Sequence, residues 1–217
     1  MPVLINLVAT RSTDGDHASL FRWYNDHVHL LMGCDALDAA TLYRRQGPDA
    51  AAGPEYLALY EFASHAAFMV FETSEARARA QAVVRDGWAR TGIEILQRTQ
   101  YERLGARGGS AVADTDHQVA VLDLGAGSRL EAARWLNDRM HTTWPDPAGE
   151  RAWHRAWGAT DAGGDALVLA QGADAQAAGP ALRSWQDGPS DPDFGLRPAS
   201  VQVRWQAAYR RLCRWAR

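Results

Sequence analysis

The chain carries the same pattern twice. Trp23-Tyr24-Asn25-Asp26-His27-Val28-His29 returns as Trp135-Leu136-Asn137-Asp138-Arg139-Met140-His141, so both stretches read W-x-N-D-x-x-H at an offset of 112. Tyr101-Glu102-Arg103-Leu104 returns as Tyr209-Arg210-Arg211-Leu212 at an offset of 108. Between them, Tyr56-Leu57-Ala58-Leu59 lines up loosely with Ala166-Leu167-Val168-Leu169. Separate matches in one order at nearly equal offsets are the mark of a tandem duplication. The 217 residues therefore divide into halves of about 100 residues, each the size of a small domain. A small, polar stretch at 106–116 reads as the joint, which sets the expected domains at 1–105 and 117–217.

Both halves parse alike. In the first, Val3–Thr10 is an apolar strand and Asp16–Met32 a helix. Ala39–Arg45 and Tyr56–Phe62 are strands joined by a Gly/Pro turn region, His65–Trp88 is one long helix, and Ile93–Leu104 is a last strand. The second half repeats the series with Gln118–Leu124, Ser128–Thr143, Ala152–Ala159, Ala166–Gln171, Asp174–Gln186 and Ala199–Leu212. Ser128-Arg129-Leu130-Glu131 forms a capping box at the start of its first helix, and Gly179-Pro180 breaks its second. The order β-α-β-β-α-β is the split βαβ motif, whose sheet carries both helices on one face. The class is α+β.

A sheet covered on one side should alternate apolar and polar residues. Val3-Leu4-Ile5-Asn6-Leu7-Val8 and Val119-Ala120-Val121-Leu122-Asp123-Leu124 instead are apolar almost throughout. Such strands need a second cover, and the sheet of the other half is the simplest one. The expected architecture is two ferredoxin-like βαββαβ repeats forming a dimeric-type α/β barrel within one chain. The rival, two separate domains with one apolar face each, predicts aggregation or a homodimer.

Composition prunes the chemistry. All 23 Lys+Arg residues are arginine, so Schiff-base lysines, covalent pyridoxal phosphate and the P-loop lysine are excluded. A net charge of −3 argues against a nucleic-acid partner. Apolar runs are strand-length, which argues against a membrane span, and the N-terminus lacks the features of a signal peptide, so a cytoplasmic protein is expected. Cys34 and Cys213 are too few for a disulfide framework or a zinc site. No dinucleotide fingerprint or H-E-x-x-H is present, and no metal or other cofactor is expected, with haem on a lone histidine kept as an option that a Soret band would decide. The basic tail Arg210–Arg217 reads as a solvated terminus.

A helix bearing a W-Y-(N/D)-x-x-H-type signature after the first strand, on this topology, resembles the EthD-like branch of the dimeric α/β barrel superfamily. The resemblance runs from Val3 to about Leu104 and reaches the second half through the repeat. Relatives of that kind carry a proline after the signature histidine, and this chain does not: Val28-His29-Leu30 and Met140-His141-Thr142 take its place. Which of His27 and His29 corresponds is open, with His141 matching His29 and Arg139 standing at the His27 position. The superfamily spans monooxygenases, cyclases, isomerases, dehydratase-like enzymes and haem proteins, so the resemblance implies a small-molecule cavity between sheet and helices, not a reaction.

The candidate residues follow. Asp26 and His29 share a helix face, as do Asp138 and His141, and a carboxylate beside an imidazole orients a general base. The competing role is a hydrogen-bonded pair steadying the helix end. Tyr43 is placed to steady an oxyanion, and Arg44 and Tyr60 to bind substrate, unless they are plain edge residues. Trp23, Trp135 and Tyr24 serve either as core anchors or as ligand platforms. The expected protein binds a small aromatic or polyketide-like molecule, with His29, Asp26 and Tyr43 as the catalytic set of a cofactor-free cyclase, dehydratase or isomerase. Its rivals are a non-catalytic ligand-binding or accessory protein and a cofactor-free monooxygenase. A ligand pocket of at least about 300 Å³ beside His29 would favour catalysis.

Overall fold

The computed structural model describes residues 3–46, 53–107, 117–124, 134–137, 149–155, 165–171 and 201–217. In chain order it contains β1 (Leu4–Ser12), α1 (His17–Leu31), β2 (Ala39–Arg45), β3 (Tyr56–Phe62), α2 (His65–Glu72), α3 (Glu75–Thr91), β4 (Ile93–Arg107), β5 (His117–Leu124), β6 (Gly149–Arg155), β7 (Ala166–Gln171) and β8 (Val201–Ala216). Residues 134–137 are helical as well. The bounds of β2, β3 and β7 are those the sequence predicts. The expected helix over Asp174–Gln186 and the Gly179-Pro180 break lie outside the described residues.

The chain packs as two units. The first comprises Met1–Tyr43, Pro54–Gln100 and Leu212–Arg217, the second Arg44–Gly53 and Tyr101–Arg211. Packing thus assigns Arg44–Gly53 to the second unit and the C-terminal tail to the first. The long strands β4 and β8, at 15 and 16 residues, each supply residues to both.

In the first unit the strands run in the order β4-β1-β3-β2, with the end of β8 beside β2. β1 and β3 are antiparallel, in register from Leu4↔Phe62 through Asn6↔Tyr60 to Thr10↔Tyr56. Side chains alternate across a strand, so Leu4, Tyr56, Ala58, Tyr60 and Phe62 join one buried cluster with α1 and α2. Ile5, Leu7, Ala9, Leu57 and Leu59, of opposite parity, are buried too. The apolar reading of both faces of these strands is therefore correct.

Helix α1 starts where Asp16 accepts a hydrogen bond from the Ser19 N–H at 3.0 Å, and it buries the stripe Leu20, Tyr24, Val28 and Leu31. The single helix expected over His65–Trp88 is two. Thr73 turns its hydroxyl back to the carbonyls of Met69 and Val70, while Ser74 donates to the Phe71 carbonyl and caps α3 by accepting from the Arg77 N–H. Hydroxyl side chains of this kind compete with helical hydrogen bonding, and two in succession end one helix and start the next. Gly92 closes α3 with a left-handed φ of 54°, and its carbonyl accepts from the Thr13 N–H at 2.6 Å.

The tail is not a solvated terminus. Arg214 donates to Thr41 Oγ1 at 2.9 Å and meets the buried Glu61 with both guanidinium arms. Arg217 pairs with Asp35 and caps the Met32 carbonyl at the end of α1.

In the second unit the strands run β4-β6-β7-β5-β8. β5 lies between β7 and β8, paired antiparallel to both, and β6 joins β7 to the Tyr101–Arg107 part of β4. Ala166–Leu169 of β7 and Tyr209 of β8 are buried there, as is Leu136. The unit's own four strands run β8-β5-β7-β6, the first strand between fourth and third as in β4-β1-β3-β2.

Candidate functional site

A cavity of about 230 Å³ opens in the first unit. It falls below the range for ligand pockets, roughly 300–1,000 Å³, and below the size expected from the sequence, and His29 is not on its wall. β1 lends it Asn6 and Val8, and β3 lends Tyr60; from α1 come Trp23, Tyr24, His27 and Leu31. Phe71 of α2, Arg77 and Gln81 of α3, and Ile95 and Arg98 of β4 complete the wall.

The wall is built from local rules. Asn6 faces Tyr60 across the β1–β3 ladder, so both project to the helical side. Trp23 and His27 lie four apart on α1, on one face of the helix, and their rings stack at 4.9 Å and 8°. Tyr24 meets the Trp23 ring edge-on at 5.2 Å, and its hydroxyl is 3.0 Å from Thr10 Oγ1. Burial, partly offset by that hydrogen bond, pushes the Tyr24 phenol up to about 12. Burial pushes Tyr60 upward too, so both phenols stay neutral at ordinary pH.

Among the described residues of this wall, the amide oxygen of Asn6, a residue only 2% exposed, and Nδ1 of His27 are buried atoms with no hydrogen-bond partner. Buried polar atoms are normally paired, and these two lie shut off within the wall. Burial first, then the charges of Arg77 and Arg98, hold the His27 imidazole down to about 4. It is therefore a neutral ring at physiological pH. Arg77 Nη2 lies 2.7 Å from Glu72 Oε2 with its guanidinium 5.5 Å from the Phe71 ring centre, and Arg98 Nη2 lies 3.3 Å from Glu72 Oε1. Among the described residues, no group of three or more His, Cys, Asp or Glu is placed to hold a metal, and no helix is long and apolar enough to cross a membrane.

Of the residues singled out in the sequence, Trp23, Tyr24 and Tyr60 come together on the cavity. His29 and Asp26 do not. Both are exposed, and no hydrogen bond or ion pair joins them. Asp26 accepts instead from the Asn25 amide at 3.5 Å, and the His29 ring stands edge-on to Trp215 at 6.5 Å. The imidazole on the cavity is His27. Tyr43 is buried on β2 but is absent from the cavity wall, because strand alternation gives the helical face to Ala40 and Leu42. Arg44 and Trp135 are half-buried members of the second unit, and His141 lies outside the described residues. Sequence reasoning missed Asn6, Arg77 and Arg98. Asn6 had a signal, as a single polar residue inside an apolar strand; Arg77 had none in so arginine-rich a helix.

No family model matches the chain, and neither does any curated protein. Solved structures do match. An anthrone oxidase-like protein superposes with a TM-score of 0.62 at 10% identity, over 98% of this chain and 93% of that one. A proposed monooxygenase from Fusobacterium nucleatum gives 0.59 at 12% identity, over 100% and 95%. A mutant chlorite dismutase from Candidatus Nitrospira defluvii gives 0.56 at 8% identity, over 95% and 90%. The shared class is one of fold: mixed α+β with an antiparallel sheet, ferredoxin-like, of the dimeric α/β-barrel kind.

Proposed function

We propose that the cavity of the first unit binds a small planar molecule, and that His27 removes a proton from it. The observation that carries this is the neutral His27 imidazole on the cavity wall, stacked on Trp23 with Arg77 and Arg98 on the same wall. A conjugate acid held down to about 4 makes His27 a weak base, so removing a proton even from a phenol or an acidic carbon is uphill and requires that the anion formed be stabilised in the cavity. The substrate is therefore one that forms a stabilised enolate or phenolate, and Arg77 is the nearby cation for the oxyanion. This is cofactor-free cyclase, dehydratase or isomerase chemistry, with His27 in the role first sought in His29. The W-x-N-D-x-x-H repeat and the matching strand orders support a tandem-duplicated member of the EthD-like branch, with halves 1–105 and 117–217. The first half keeps the site in this reading.

The names borne by the anthrone oxidase-like and monooxygenase neighbours favour a second reading, in which the carbanion made by the same proton removal reacts with O₂.

The test is hydrogen–deuterium exchange at the α-carbon of 2-tetralone in D₂O, followed by NMR, with an oxygen electrode in parallel. Exchange accelerated by the protein and abolished in His27→Phe supports the proposal, and O₂ uptake in step with it selects the second reading. Saturable binding without exchange leaves a ligand carrier and ends the catalytic claim.

A further inference from the structure

Resting on the reading of this cavity as a binding site, the charge on its wall narrows the class of ligand. Two guanidiniums, Arg77 and Arg98, line it, and among the described residues no carboxylate does. Both reach Glu72 beside the cavity, one to each carboxylate oxygen. Two positive charges thus share one negative. The Arg77 side chain is only 12% exposed, so bulk water does little to solvate it. Burial, then repulsion from Arg98, draws its pKa below the usual arginine range. A largely buried cation without a full counter-charge is unfavourable, and a second anion in the cavity would relieve it.

Volume and polarity fix the remainder. Filled at protein packing density, about 0.74, the cavity takes about 170 Å³ of ligand, the size of two fused rings with small substituents. The stacked Trp23–His27 pair offers a flat aromatic surface. The Asn6 oxygen, buried in the wall without a partner, can only accept a hydrogen bond, and a ligand hydroxyl reaches it when the wall shifts slightly.

We propose that the ligand is a two-ring hydroxylated aromatic acid. Its carboxylate is received by Arg77 and Arg98 in place of one oxygen of Glu72, and its hydroxyl donates to Asn6 or His27. A planar guanidinium fork suits a carboxylate better than a neutral group.

Calorimetric titration with 6-hydroxy-2-naphthoate and with its amide, 6-hydroxy-2-naphthamide, tests this on the full chain. The acid should bind at least about tenfold more tightly than the amide, as expected for a charge-assisted pair. Glu72→Gln, which removes the competing carboxylate, should tighten the acid severalfold and leave the amide unchanged. Arg98→Gln, at a half-exposed position, should leave the fold intact and erase most of the preference. Equal affinity for acid and amide in the wild type overturns the acid class and leaves the cavity reading standing. Weaker acid binding in Glu72→Gln overturns the displacement of Glu72. No binding of either probe overturns both the inference and the reading beneath it.

Discussion

Replacing His27 with phenylalanine should remove a specific acid sensitivity from this fold. The imidazole titrates near 6.5 in an unfolded chain and is held to about 4 in the folded one. Between those values the unfolded chain binds a proton that the folded chain refuses, so acid favours unfolding. Above 6.5 both forms are neutral and the group contributes nothing; below 4 both are charged and the loss levels off. Each pH unit inside the window is worth about 1.4 kcal/mol. From about pH 7 to about pH 4.5 the wild type should lose about 2 kcal/mol through His27 alone, allowing for some solvent access to a half-buried ring. Phenylalanine keeps the stack on Trp23 and cannot titrate. Urea unfolding of both proteins at the two pH values gives the difference directly, since every other titrating group is common to them. Equal losses in wild type and variant would refute the neutral, desolvated imidazole on which the proposed base rests.

Two further outcomes test the frame around the site. Arg214→Met strands the buried Glu61 carboxylate and should cost about 2 kcal/mol, the low side for a broken buried pair because solvent reaches the arginine. Adding Glu61→Gln should recover most of that loss, and purely additive effects in urea unfolding would show that the pair is not coupled. Gly92→Ala forces a Cβ into a left-handed conformation and against the Asp14 carboxylate, which should cost about 2 kcal/mol and lower Tm by about 4–8 °C; an unchanged Tm would contradict the turn geometry.

Much of the scaffold was legible in the sequence because its causes are local. Short apolar runs bounded by turn residues placed β2, β3 and β7 at their observed bounds. The covered second face of the first sheet followed from β1 being apolar at both parities. The break between α2 and α3 was legible in principle, since it depends only on Thr73 and Ser74 bonding to nearby backbone, but the Ala- and Arg-rich pattern on either side masked it.

The choice of histidine was of another kind. At about 100° per residue, His27 and His29 flank Val28 on α1 at equal angles, one on each side. Nothing within the helix distinguishes the two flanks. The first faces the cavity lined by α3 and β4, the second solvent and Trp215 from the chain's far end. Asn6, His27, Arg77 and Arg98 span more than ninety residues, and only strand register and helix packing bring them to one wall. By itself the sequence determined where β2, β3 and β7 begin and end and that both faces of β1 must be covered, because apolar runs and the turn residues that bound them act within a few residues. The tertiary structure alone decided which imidazole is desolvated, which arginines share a counter-ion, and that the basic tail locks onto the first unit, because burial and charge pairing depend on neighbours distant in the chain.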